Sequence, residues 1–138
     1  MNPERFVSQL ELAAQSEAVP WARRHTHDVL SAWSVPSGYI DATALAVSEL
    51  VTNAVKHAAS PDDDPSPTPA RLTLRHRETH LIVEVADPDI RPPVGNDVSA
   101  ATDESGRGLF IVETISKEWG YYLPPTGGKV VWCVMALD

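Results

Sequence analysis

The spacing of apolar positions changes along this chain, and the changes divide it into elements. Over residues 6–14, Val7, Leu10 and Leu12 form a short apolar stretch that predicts a first strand. From 16 to 33 the period becomes helical. Val19, Ala22, Thr26, Val29, Leu30 and Trp33 share one side, Ser16 is placed as N-cap and Pro20 falls in the first turn. Pro36-Ser37-Gly38 interrupts the chain. A second helix is predicted over 40–58, where winding at ~100° per residue gathers Ile40, Ala44, Val47, Val51, Ala54, Val55 and Ala58 into one stripe.

Residues 60–70 carry four prolines and three aspartates, which fixes 61–69 as an exposed loop. Residues 71–77 then alternate, with Leu72, Leu74 and His76 on one face and arginines on the other. Glu78-Thr79-His80 turns the chain into a partner strand over 81–87, giving an antiparallel hairpin. From 88 to 105 there is no period, and a loop this long in a small domain is usually a lid or a binding loop. A third helix is predicted over 109–118, a short strand over 119–123, and a strand buried on both faces over 129–137. No internal repeat is present.

Composition narrows the class. A chain of 138 residues with 43% hydrophobic positions forms one domain, 1–138, with a real core. A net charge of −8 opposes direct nucleic-acid binding, which needs a basic stripe. There is no signal-peptide-like start and no run near the ~20 apolar residues of a membrane span. The single cysteine, Cys133, cannot form an internal disulfide. These features predict a cytoplasmic protein with no membrane contact.

Three places carry candidate chemistry. On the central helix, Glu49, Asn53 and Lys56 line up opposite the apolar stripe, with Thr52 beside them. A carboxylate can act as a base, an amide oxygen suits a hard cation such as Mg²⁺, and a lysine meets phosphate as a point charge. A solvated helix face gives the same pattern. Asp87 shares parity with Leu81, Val83 and Val85, so it is either an acid at the buried end of a strand or the first residue of an ordinary Asp-Pro-Asp turn. Gly106-Arg107-Gly108 precedes the third helix, where backbone N–H groups can approach an anion. Neither a Rossmann fingerprint nor a Walker A sequence is present. His25 and His27 lie two apart and do not share a helical face, and Asp62-Asp63-Asp64 lacks calcium-loop spacing.

Taken in order, ELVTNAVKHA, IVEVADPD, SGRGLFIV, WG and GGKVVW resemble the GHKL superfamily of histidine-kinase-like ATPases. The resemblance is nearest to the small single-domain branch of anti-sigma-factor serine/threonine kinases and actinobacterial ATP-binding regulators. It implies an α+β fold, a two-layer α/β sandwich of the Bergerat type, whose mixed, mostly antiparallel sheet is covered on one face by about three helices. It implies ATP and Mg²⁺ as cofactors, with 88–105 as the ATP lid. By the same resemblance Glu49 is the catalytic acid that orients or deprotonates a protein hydroxyl, and Asn53 holds Mg²⁺ through the nucleotide phosphates. Lys56 and His57 are phosphate contacts. Asp87 accepts the adenine amino proton, which selects the buried reading of that residue. Gly106, Arg107, Gly108 and Leu109 form the glycine box, and residues 126–129, ending in Lys129, form a later box near the nucleotide.

The implied function is a protein kinase that sequesters a sigma factor and phosphorylates a STAS-type anti-anti-sigma partner; a homodimer is compatible with the resemblance, and no sequence feature establishes it. One departure stands out. The family's D-x-G-x-G becomes Asp87-Pro88-Asp89-Ile90-Arg91, without either glycine, which predicts weak nucleotide affinity. The alternative is a non-catalytic binding module of the same fold. A complete sensor kinase and a chaperone-type ATP clamp both need segments this sequence lacks.

Overall fold

The computed structural model describes residues 6–13, 15, 17–58, 70–93 and 104–137, with backbone only at 56–58 and 104–108. The elements follow in the order β1 (Phe6–Leu12), α1 (Ala18–Ala32), α2 (Ser37–Ala58), β2 (Ala70–His76), β3 (His80–Asp87), α3 (Glu104–Ile115), β4 (Glu118–Tyr122) and β5 (Lys129–Ala136). The strands form one sheet in the order β1-β2-β3-β5-β4, and every pairing in it is antiparallel. The two-layer α+β arrangement expected from the sequence is therefore present. The loop predicted over 61–69 and most of the lid, 94–103, lie outside the described residues.

Parity assigns the two sheet faces. Leu81, Val83, Val85 and Asp87 of β3 pair with Met135, Cys133, Val131 and Lys129 of β5, and all eight are buried. This face carries the helices: α2 packs on β2, β3 and β5, while α1 and α3 flank α2. The opposite face shows Ile82, Glu84, Trp132 and Val134, each half-buried. Strand β5 is thus fully buried on one face only, contrary to the expectation of two, because no described helix covers the other. Cys133 lies in the covered face, and burial pushes its thiol up to about 11, so it stays protonated.

The helix boundaries moved for identifiable reasons. Helix α1 starts at Ala18 after Glu17, without a side-chain cap, rather than at Ser16. It ends where Ser34 takes a left-handed conformation (φ 62°). The Val35 N–H then reaches back to the Leu30 carbonyl at 3.0 Å and the Ser34 N–H to that of Ser31, which is a Schellman cap. The break expected at Pro36-Ser37-Gly38 therefore falls earlier. Pro36, whose missing N–H is no loss at a helix start, leads straight into α2, and its carbonyl accepts from Tyr39 and Ile40.

Helix α2 is buried on more than one stripe. Ile40, Ala44, Val47, Val51, Ala54 and Val55 are buried as the periodicity predicts, but so are Thr43, Ala46 and Leu50. A helix with neighbours on both flanks and a sheet beneath needs a wide apolar arc. Three of its hydroxyls are satisfied within the helix: Thr43, Ser48 and Thr52 donate to the carbonyls four residues earlier at 2.7, 3.0 and 2.6 Å.

This packing predicts a contrast along α2. Leu50 is 2% exposed and Leu45 is 42% exposed. Leu50→Ala should cost about 2–5 kcal/mol by lost burial and a residual cavity. Leu45→Ala should cost below about 1 kcal/mol. Urea denaturation of the two variants checks the difference.

Candidate functional site

The end of β3 brings the sequence's candidate residues together. The period of β3 carries Asp87 under the helices, where it is 6% exposed. Its pairing partner, Lys129, opens β5 and is 2% exposed. The Lys129 ammonium lies 3.4 Å from Asp87 Oδ2 and 3.5 Å from Oδ1, and donates to the main-chain oxygen of Asp89 at 3.0 Å. Asp87 Oδ1 also accepts the Asp89 N–H at 2.8 Å, closing a tight local turn. Burial pushes the Asp87 carboxyl above its ordinary range, while the Lys129 charge and the Asp89 N–H pull it back.

The turn beyond Asp87 is braced in the same way. Arg91 donates its N–H to Asp89 Oδ1 at 2.9 Å and its Nε–H to Oδ2 at 2.8 Å. These bonds from Arg91 hold the Asp89 carboxyl down to about 2. Behind Asp87, Gly127 and Gly128 take φ values of 101° and 72°. A Cβ on Gly128 would collide with the carbonyl oxygen of Asp87 and lie 3.3 Å from the Pro88 Cα. The β4–β5 turn is thus pressed against the backbone that presents Asp87, and only glycine fits there.

Helix α2 supplies the facing wall. Asn53 is 9% exposed and lines one small cavity with Leu50, Ala54, Val85, Asp87, Pro93, Lys129 and Val131. The sequence placed Asn53 on a face opposite the core, with Glu49 and Lys56. Asn53 instead points inward, because the buried arc of α2 is wider than the single stripe. Glu49, one turn before it, is half-buried. The side chains of Lys56 and His57 lie outside the described residues. Helix α3 begins at Glu104 and ends at Ile115, rather than running over 109–118. Gly106, Arg107 and Gly108 therefore belong to its first turns and not to a loop before it, with their side-chain surroundings outside the description. Leu109 and Val112, both 0% exposed, fix the helix against α2. In the first turn the N–H groups have no carbonyl partner within the helix.

The donor set fits a magnesium nucleotide in kind. A buried carboxylate at a strand end can accept from an exocyclic amine. An amide oxygen can supply the single protein ligand that a phosphate-bound Mg²⁺ needs. Unpaired helix N–H groups can face phosphate. The space does not yet match, because the cavity between Asn53 and Asp87 holds about 10 Å³, less than a purine ring requires. Pro93 and Lys129 are part of its wall. Larger hollows lie elsewhere, one of about 390 Å³ along Leu10, Leu12, Gln15 and Trp21, and one of about 320 Å³ over Glu11, Arg71 and Thr126. The first has no buried charged group in its lining, and the second has Asp87 but not Asn53 or Lys129. Size alone is therefore a poor guide here, and the chemistry points to the closed cavity.

Sequence reasoning missed Pro93 as a wall of this cavity, the Asp89 carbonyl as a partner of Lys129, and the strict need for Gly128. The Gly-Gly pair before Lys129 was the available signal for the last.

Comparison with known proteins bears on the fold and the family. Residues 12–135 match the model of the histidine kinase-like ATPase domain family. An uncharacterized Streptomyces coelicolor protein, SCO4941, is 37% identical over 71 residues, which cover 51% of this chain and 67% of that protein. Among solved structures, the RsbU and RsbW domains of Rv1364c from Mycobacterium tuberculosis superpose with a TM-score of 0.71 at 18% identity, over 96% of this chain and 32% of that one. This chain thus spans about a third of that structure's length. The SiaB–SiaC complex from Pseudomonas aeruginosa gives a TM-score of 0.70 at 13% identity, over 96% of this chain and 89% of the matched one. At these identities the two structures share the fold.

The Gly128 clamp makes a stability prediction. Gly127→Ala meets nothing within 4 Å and adds only left-handed strain, about 1–2 kcal/mol. Gly128→Ala adds the collision with Asp87 and should cost about 2–5 kcal/mol. Thermal unfolding that ranks them the other way would mean the turn does not brace Asp87.

Proposed function

The chain belongs to the histidine kinase-like ATPase domain family, and from that premise we propose that it binds Mg-ATP and acts as a regulatory serine/threonine kinase of the anti-sigma-factor type. The observation that carries the reading is the placement of Asp87 and Asn53 on facing walls of one cavity, each buried and each from a different layer of the fold. Asp87 accepts the amine of the base. Asn53 ligates the magnesium ion that bridges the phosphates. The N–H groups of the first turn of α3, that of Gly106 among them, face the phosphates, Gly108 lets the backbone come close, and Lys56 and His57, three and four residues after Asn53 in the sequence, are further phosphate contacts in this reading.

ATP supplies the phosphoryl group, and the chain supplies position and charge. Glu49, one turn before Asn53, aligns the acceptor hydroxyl and takes its proton. The acceptor is a serine or threonine of a STAS-type anti-anti-sigma protein, and the competing partner is a sigma factor. Two observations support a protein partner: the RsbU and RsbW domains solved together and the SiaB–SiaC complex. A homodimer is part of the same proposal. Among the described residues no helix is long and apolar enough to cross a membrane.

A second reading is a binding module that has lost catalysis. The small cavity and the Asp87-to-Arg91 segment without glycine favour it.

Calorimetric titration with Mg-ATP tests nucleotide binding. Asn53→Ala should weaken Mg²⁺-dependent affinity about 10–100-fold, the size of one lost bond to a charged group. Glu49→Ala should keep nucleotide binding and lower phosphate transfer to a STAS domain by about 10²–10⁴. Equal transfer by folded Glu49→Ala and wild type would remove Glu49 from the chemistry and favour the binding module.

A further inference from the structure

A buried lysine needs a partner, and Lys129 has taken the one carboxylate that the proposed nucleotide site also needs. With only 2% exposure, its ammonium reaches both Asp87 oxygens at 3.4 and 3.5 Å. A base amine and a lysine ammonium are both N–H donors, and with the Asp89 N–H on Oδ1 and the ammonium between the two oxygens, the buried carboxylate already has donors on both oxygens before a base amine arrives. The same ammonium holds the Asp89 carbonyl at 3.0 Å. That bond ties the chain just beyond β3 to the start of β5. Pro93, four residues further on, lines the same cavity, whose volume is about 10 Å³.

Each part reinforces the others. The Asp89 N–H on Asp87 Oδ1 and the Arg91 bonds to the Asp89 carboxylate fold residues 87–91 into a compact turn. No glycine in that segment relaxes it. Gly128, against the Asp87 carbonyl, fixes the other side. Breaking the Lys129 ties would release the segment and free the carboxylate together.

We propose that Lys129 is an internal latch: its ammonium occupies Asp87 and the Asp89 carbonyl, holds the base cavity shut, and must leave Asp87 before an adenine nucleotide can bind. This rests on the reading of Asp87 as the base acceptor. It assigns Lys129 a role opposed to that of a nucleotide contact. When only a fraction of molecules is open, apparent affinity falls by that fraction, so a site nine-tenths closed binds about tenfold more weakly than its open form.

The test is Mg-ATP titration by calorimetry on wild type and Lys129→Met under identical conditions, with urea denaturation of both to establish folding. The latch predicts about tenfold tighter binding by Lys129→Met. If that variant does not fold, Lys129→Gln keeps a donor for Asp87 without the charge, and a smaller gain of the same sign is expected. Equal affinity overturns the latch and leaves the nucleotide site standing. Weaker binding by the variant also overturns it and makes Lys129 a ligand of the nucleotide. Binding by neither protein at millimolar Mg-ATP overturns the nucleotide reading itself, and the latch with it.

Discussion

Asp87 ends an alternating strand whose other inward residues are Leu81, Val83 and Val85, so the strand's own period drives a carboxylate beneath the helices. A lone ion there would be costly, and the surroundings are arranged to offset that cost. Lys129 arrives from the paired strand, the Asp89 N–H closes from the chain direction, and Gly128 lets the β4–β5 turn lie against the Asp87 backbone. Breaking the pair by removing one partner is more damaging than replacing both, which explains why three separate segments converge on this one strand end. An acid held this way is poised to trade one donor for another, the property a base-recognition site needs.

The other constraint is helix α2. It lies on β2, β3 and β5, with α1 and α3 on its flanks, so its apolar arc must be broad. That arc turns Asn53 inward toward Asp87 and leaves Glu49 half-buried one turn away. The polar residues of the helix therefore stand at the margin of the core and not on an outer surface. Position at such a margin allows an amide to reach a ligand inside the fold while a neighbouring carboxylate meets a partner from outside.

Much of this was legible in the chain. Alternation predicted β2 and β3 nearly to the residue and gave Asp87 the parity of Leu81, Val83 and Val85, while the choice between a buried acid and a turn residue came from the family resemblance. The 3.6-residue period found α1 and α2, and the family's ordered motifs supplied the two-layer fold. Local signals failed where non-local packing decides. Pro36 looked like a break but opens α2, and the turn is made by Ser34. Helix α3 absorbs Gly106 and Gly108 because Leu109 and Val112 anchor its buried side, outweighing about 1 kcal/mol of helix propensity per glycine. Strand β5 read as doubly buried because Val and Trp on its uncovered face are as apolar as its core residues. The Lys129–Asp87 pair joins residues 42 apart, and no local rule links them.

The central claim is that the strand end at Asp87, and not the roomier hollow beside Trp21, is where the nucleotide binds. Backbone amide chemical-shift mapping of the wild-type protein during Mg-ATP titration tests it most directly. The account predicts saturable shifts concentrated at Asn53, Asp87, Asp89, Gly128 and Lys129, with the start of α3 moving in step. Shifts confined to Leu10, Leu12, Gln15 and Trp21, with Asp87 and Asn53 unmoved, would contradict it.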